Sequence, residues 1–157
     1  MKKLFLTLIC FVFASNIYSQ NNAKTKKAMY VNINIDIAFK DKEGNDLLDS
    51  SNEKHFSNKE ITLYNMEKGE KVKVNKPHAD YPNNHFIYKD DVTKNNLLRV
   101  FLEAEVVLLN LNTATTDTIK CTIKKTKGNT HIAKVWYNGK LVWTYGKTTS
   151  QVITITK

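Results

Sequence analysis

From Met29 to Phe39 the chain alternates without interruption: Met29, Val31, Ile33, Ile35, Ile37 and Phe39 take every second position, separated by Tyr30, Asn32, Asn34, Asp36 and Ala38. Successive side chains of a β-strand point to opposite faces, so this pattern makes a strand with one buried and one wet face. Wound as a helix, the same residues would scatter around the axis. Further strands are expected at 60–66, 71–75, 85–89, 97–103, 105–111, 116–124, 132–137, 140–143 and 151–156, where β-branched and aromatic residues gather between turn residues. No segment carries a helical period. The expected fold is all-β, an antiparallel β-sandwich of the immunoglobulin-like kind.

The region before that strand has a different character. Met1-Lys2-Lys3 is a positive start, Leu4 to Ala14 is an apolar run too short to span a bilayer, and a polar approach ends at Ser19, a small residue. The expectation is a signal peptide over 1–19, a flexible N-terminal segment over 20–28 and a single β-sandwich domain over 29–157. Export to the periplasm or beyond follows from the signal. A lipid anchor on Cys10 is not expected, because Ile9 precedes it and the apolar run continues past it.

The formal charge of +9 falls to about +7 without Lys2 and Lys3, and it is spread along the chain. Such a balance permits anionic partners. Arg99 is the sole arginine, and arginine is the residue that reads bases with paired hydrogen bonds, so a nucleic-acid role is not expected. Beyond the signal one cysteine remains, Cys121, which excludes an intramolecular disulfide in the exported domain. In Thr118-Ile119-Lys120-Cys121-Thr122-Ile123 it shares a strand face with Ile119 and Ile123, the setting of a buried structural thiol.

One turn has a mechanism. Asn138-Gly139 supplies the two positive-φ positions of a type I′ hairpin. The resulting register sets Tyr137 against Lys140, Trp136 against Leu141, Val135 against Val142 and Lys134 against Trp143. Trp136, Leu141 and Trp143 would then share a face. Two indoles side by side suggest a carbohydrate-stacking platform; the other reading puts one indole in the core and the other over a sheet edge.

Other candidate sites are loops. Asp41, Glu43, Asn45 and Asp46 surround Gly44 and resemble an oxygen-rich calcium loop, although a turn needs the same residues for local reasons. The stretch 75–85 holds Pro77, Pro82, His78, Asp80, Tyr81 and His85 and is the expected binding loop, with Tyr81 as its aromatic contact. His78, Asp80 and His85 match no recognised zinc spacing. Glu103 and Glu105 would share a face, about 7 Å apart, if one strand ran through Ala104. No nucleophile stands near a base, so no catalytic residue and no cofactor are expected.

Gly44-Asn45-Asp46-Leu47-Leu48, Asp117-Thr118-Ile119-Lys120-Cys121 and Lys134 to Trp143 together resemble a group of uncharacterised exported proteins and lipoproteins of Bacteroidota. The resemblance implies a Gram-negative envelope and a small β-sandwich, and it implies no activity. The expected function is a non-catalytic interaction module of the cell envelope, with a protein or glycan partner. The alternative is a small-ligand module binding glycan or calcium.

Overall fold

The computed structural model describes residues 30–147 and 152–157, and among these it is all-β. The expected signal peptide and the 20–28 segment lie outside the described residues. Eleven strands follow one another: β1 Tyr30–Asn32, β2 Asn34–Lys40, β3 Thr62–Glu67, β4 Glu70–Lys73, β5 His85–Lys89, β6 Asn96–Phe101, β7 Val106–Asn110, β8 Thr116–Thr126, β9 Asn129–Tyr137, β10 Lys140–Thr144 and β11 Val152–Thr156. They form two packed sheets. The larger runs β1-β9-β8-β7-β3-β4, with β10 also on β9; the smaller runs β11-β2-β6-β5. Pairing is antiparallel except for β1 on β9 and β11 on β2, which are parallel.

The long alternation does not form one strand. At Ile33 the chain passes from the larger sheet to the smaller: Tyr30, Val31 and Asn32 pair with β9, and residues from Asn34 onward pair with β6 and β11. The Ile33 carbonyl marks the crossing by accepting from the Leu102 amide at 2.7 Å. Nor is the second face of β2 wet. Asp36 and Ala38 are 5% and 4% exposed on this inner strand, with Asp36 paired to the Arg99 guanidinium of β6.

Ile35, Ile37 and Phe39 of β2, Leu98 and Val100 of β6 and Ile153 of β11 make the inner face of the smaller sheet. They pack against Leu63, Val107, Leu109, Ile119, Cys121 and Val135 of the larger one. Each such side chain contributes roughly 1.5–3 kcal/mol of burial, and these contacts hold the sheets together. Phe39 meets Phe56 edge to face at 5.9 Å and Tyr137 at 6.4 Å.

A polar tie crosses the sandwich. Asp117 on β8, 4% exposed, is ion-paired with Lys157 just past β11 and accepts from the Asn138 amide at 2.7 Å. Asn138 also accepts from the Thr118 backbone N–H at 2.7 Å. Its φ of +48° and the +81° of Gly139 are the two positive values a type I′ turn requires. The Cys121 thiol is buried, donates weakly to the Ala104 carbonyl at 3.4 Å, and burial pushes it up to about 11. It is a structural thiol.

Candidate functional site

On β2, β6 and β5 the residues that alternate with the core residues form the outer face of the smaller sheet: Asp36, then Arg99 and Phe101, then Phe86 and Tyr88. Arg99 and Asp36 are directly opposite neighbours. The guanidinium donates from Nε and one Nη to the two carboxylate oxygens, both at 2.8 Å, and that Nη also donates to the Tyr88 hydroxyl at 3.1 Å. Only arginine fits such a paired geometry, so the single arginine of the chain has a specific task. Its hydrogen bonds to Asp36 raise the guanidinium above its ordinary range, and it also lies 4.9 Å from the Tyr88 ring centroid. Burial, then the Asp36 charge, pushes the Tyr88 hydroxyl up.

Next to this pair is an aromatic stack. Tyr81 lies on Phe86 with ring centroids 4.2 Å apart and planes within 17°, and on Phe101 at 5.5 Å and 23°. Phe86 contacts Phe101 at 6.2 Å and Tyr88 at 5.7 Å. Tyr81 remains 42% exposed and the other rings are partly buried. The 75–85 loop holds it there. Within the loop Lys76 N–H donates to Pro82 and Asn84 N–H to Tyr81, and the Asn84 carbonyl accepts from Phe101 N–H at 2.9 Å. Buried Asn84 adopts a φ of +54° to make that corner. Beside the stack, Tyr81, Phe101, Lys76 and Glu103 line a cleft of about 240 Å³. Burial would raise Glu103, but the hydrogen bond and charge of Lys76 hold the carboxyl below its ordinary range.

The two indoles do not share a face. Between Leu141 and Trp143 the register shifts, so Trp143 stands opposite Val135 and not opposite Lys134. Val142 is the extra residue of a β-bulge, and one added residue reverses the direction of every later side chain. Trp143 is therefore in the core face at 8% exposure, while Trp136 stays half-buried beside exposed Leu141. The paired-indole platform is not formed.

The remaining candidates are held by local bonds. Both Asp41 carboxylate oxygens accept from Asn45, at 2.7 and 2.8 Å, and the Asn45 amide keeps the carboxyl below its usual range. Asp46 points elsewhere, accepting from the Leu48 and Asn96 backbone N–H groups at 2.9 Å each, and Glu43 is exposed. This is turn chemistry, with Gly44 at φ +87°. His85 is buried with Nδ1 3.0 Å from the Asn83 carbonyl, whereas His78 and Asp80 are exposed. Among the described residues no three His, Cys, Asp or Glu side chains converge as metal ligands. Glu103 and Glu105 do not share a strand: β6 ends at Phe101, β7 begins at Val106, and the chain changes sheets between them.

A second concavity lies where β1 gives way to β2. Tyr30, Asn32, Asn34, His131, Trp143 and Tyr145 are its principal lining, around a volume of about 150 Å³. The sequence gives no local sign of it, because its walls come from both ends of the chain. Comparison with known proteins finds no matching family model, no matching curated protein and no matching solved structure, so geometry carries the functional argument.

Proposed function

We infer that this chain is a non-catalytic interaction module exported to the bacterial cell envelope, and that it contacts a protein partner through the outer face of its smaller sheet. The observation that carries this reading is the partly exposed stack of Tyr81, Phe86 and Phe101 beside the anchored Arg99. Tyrosine and arginine dominate the energetics of protein interfaces when they sit at a desolvated centre with a polar rim. Here the centre is ordered in advance by the loop hydrogen bonds and by Asp36, which lowers the entropic cost of association. Lys76, Asp80 and Glu103 supply the rim. The sequence features of residues 1–19 support export.

A photo-crosslinking amino acid in place of Tyr81, expressed in the native envelope, tests the reading. The expected result is one discrete protein adduct that disappears with Phe101→Ser and does not form from Leu141, on the other sheet. Equal crosslinking from both positions, or none from Tyr81, contradicts it.

A further inference from the structure

We propose that the pocket at the sheet switch binds a neutral saccharide ring, a site that adjoins the aromatic sheet face at Asn34, the cross-strand neighbour of Phe101. β9 has one edge shared by two strands. β1 occupies it up to Asn32, opposite His131, and β10 occupies it down to Thr144, opposite Lys134. Between them β9 itself is bulged: Thr122 pairs with Lys134 and Ile123 with Ile132, which leaves Ala133 as the additional residue. Because β1 leaves for the other sheet at Ile33, no strand among the described residues fills the gap, and the side chains around it become walls.

The walls are of two kinds. Aromatic rings meet at steep angles: Tyr145 lies 4.7 Å from His131 at 41° and 6.3 Å from Trp143 at 73°. The Tyr145 backbone N–H is fixed on the Ala133 carbonyl at 2.9 Å, so the ring is placed by the bulge. Opposite them are amides. Asn32 donates to the Tyr30 hydroxyl at 3.1 Å, which leaves that hydroxyl's own proton for a ligand, and Asn34 follows two residues later on the next strand. Amide, imidazole and phenol groups both donate and accept, as hydroxyl-bearing ligands require.

The lining also selects by charge. Its described residues include no carboxylate, lysine or arginine. Among the described residues an organic cation would find no carboxylate to neutralise it on a chain of formal charge +9, and an anion would find no cationic partner. A neutral ring with one apolar C–H face and a rim of hydroxyls matches what is present: rings for the face, amides and imidazole for the rim. The volume of about 150 Å³ admits a single ring, so a longer glycan would be held by one residue of its chain.

Trp143 provides the readout. In a Trp136→Phe background the protein's indole emission comes from the pocket, and it is titrated with glucose, galactose, mannose, N-acetylglucosamine and their β-linked disaccharides, with choline and acetate as charged controls. The expected result is a saturable change with at least one sugar at millimolar concentration and none with choline or acetate. Matching affinities for the monosaccharide and its disaccharide would identify free sugar as sufficient, and tighter disaccharide binding would identify a glycan chain end. Tyr145→Ala and Asn34→Ala should each weaken binding about tenfold with an unchanged unfolding midpoint, while Tyr81→Ser should leave it unaltered. Saturation by choline alone, no saturation by any sugar, or equal loss with Tyr81→Ser overturns the proposal. None of these results bears on crosslinking from Tyr81.

Discussion

Replacing Arg99 by methionine removes both charge-assisted donors from a carboxylate whose side chain is 8% exposed. The Asp36 charge then stays buried beside an apolar side chain. Losing one partner of a fully buried pair costs roughly 3–5 kcal/mol. The Arg99 side chain is 33% exposed, so solvent screens part of the interaction and a loss of about 2–3 kcal/mol is expected. For a domain of this size that lowers the thermal midpoint by about 10 °C. The converse change, Asp36→Leu, leaves an arginine that can turn toward water and should cost only about 1 kcal/mol. The double variant Asp36→Leu/Arg99→Met removes both charges together and should recover most of the Arg99→Met loss. Urea unfolding of the four proteins, followed by far-ultraviolet circular dichroism, measures the cycle. Equal single costs, or a double variant whose loss is the sum of the two, would refute the reasoning.

Asp117 makes stability depend on pH. Burial would raise its carboxyl, but hydrogen bonds from Lys157 and Asn138, with the Lys157 charge, outweigh it and hold the carboxyl below its ordinary range. With a depressed folded pKa, the contribution is fully present above the unfolded value and is lost as pH falls through the folded one. Melting scans from neutral pH to about pH 2 should show a steeper acid decline for the native protein than for Asp117→Asn. An identical slope would contradict the tie. Asn138→Ala abolishes bonds to both Asp117 and Thr118 at a positive-φ position and should cost about 2 kcal/mol, against about 1 kcal/mol for Gly139→Ala, measured by chemical unfolding. Cys121, with its thiol raised to about 11, should resist iodoacetamide in the native protein at mildly alkaline pH and react once urea unfolds it, as peptide mass spectrometry would report.

How far the sequence leads is clear from individual elements. Local patterns were legible: β5 spans the expected His85–Lys89, β8 and β9 contain their expected segments, and the Asn138-Gly139 turn has the φ values its residues imply. Each depends on neighbours within a few positions. The break at Ile33 left no trace in the alternation, because the period-2 pattern suits either sheet and the crossing depends on Leu102, far along the chain. The bulge at Val142 was equally silent; Leu, Val and Trp in succession fit a regular strand, and only packing places Trp143 inside. Tyr81 was legible as an aromatic on a polar loop. Its stacking on Phe86 and Phe101 was not, since those rings meet through sheet pairing. Asp36 reads as a wet-face residue in the alternation, because the charge that pairs with it, Arg99, is on another strand.

The aromatic sheet face is the proposed contact surface. Once the protein crosslinked at Tyr81 is identified, calorimetric titration of that purified partner with the native protein, Tyr81→Ser and Leu141→Ser measures the claim directly. Tyr81→Ser is expected to weaken binding by at least about tenfold while Leu141→Ser leaves it unchanged. Unchanged affinity for Tyr81→Ser, or a larger loss from Leu141→Ser, would place the contact surface elsewhere and contradict it.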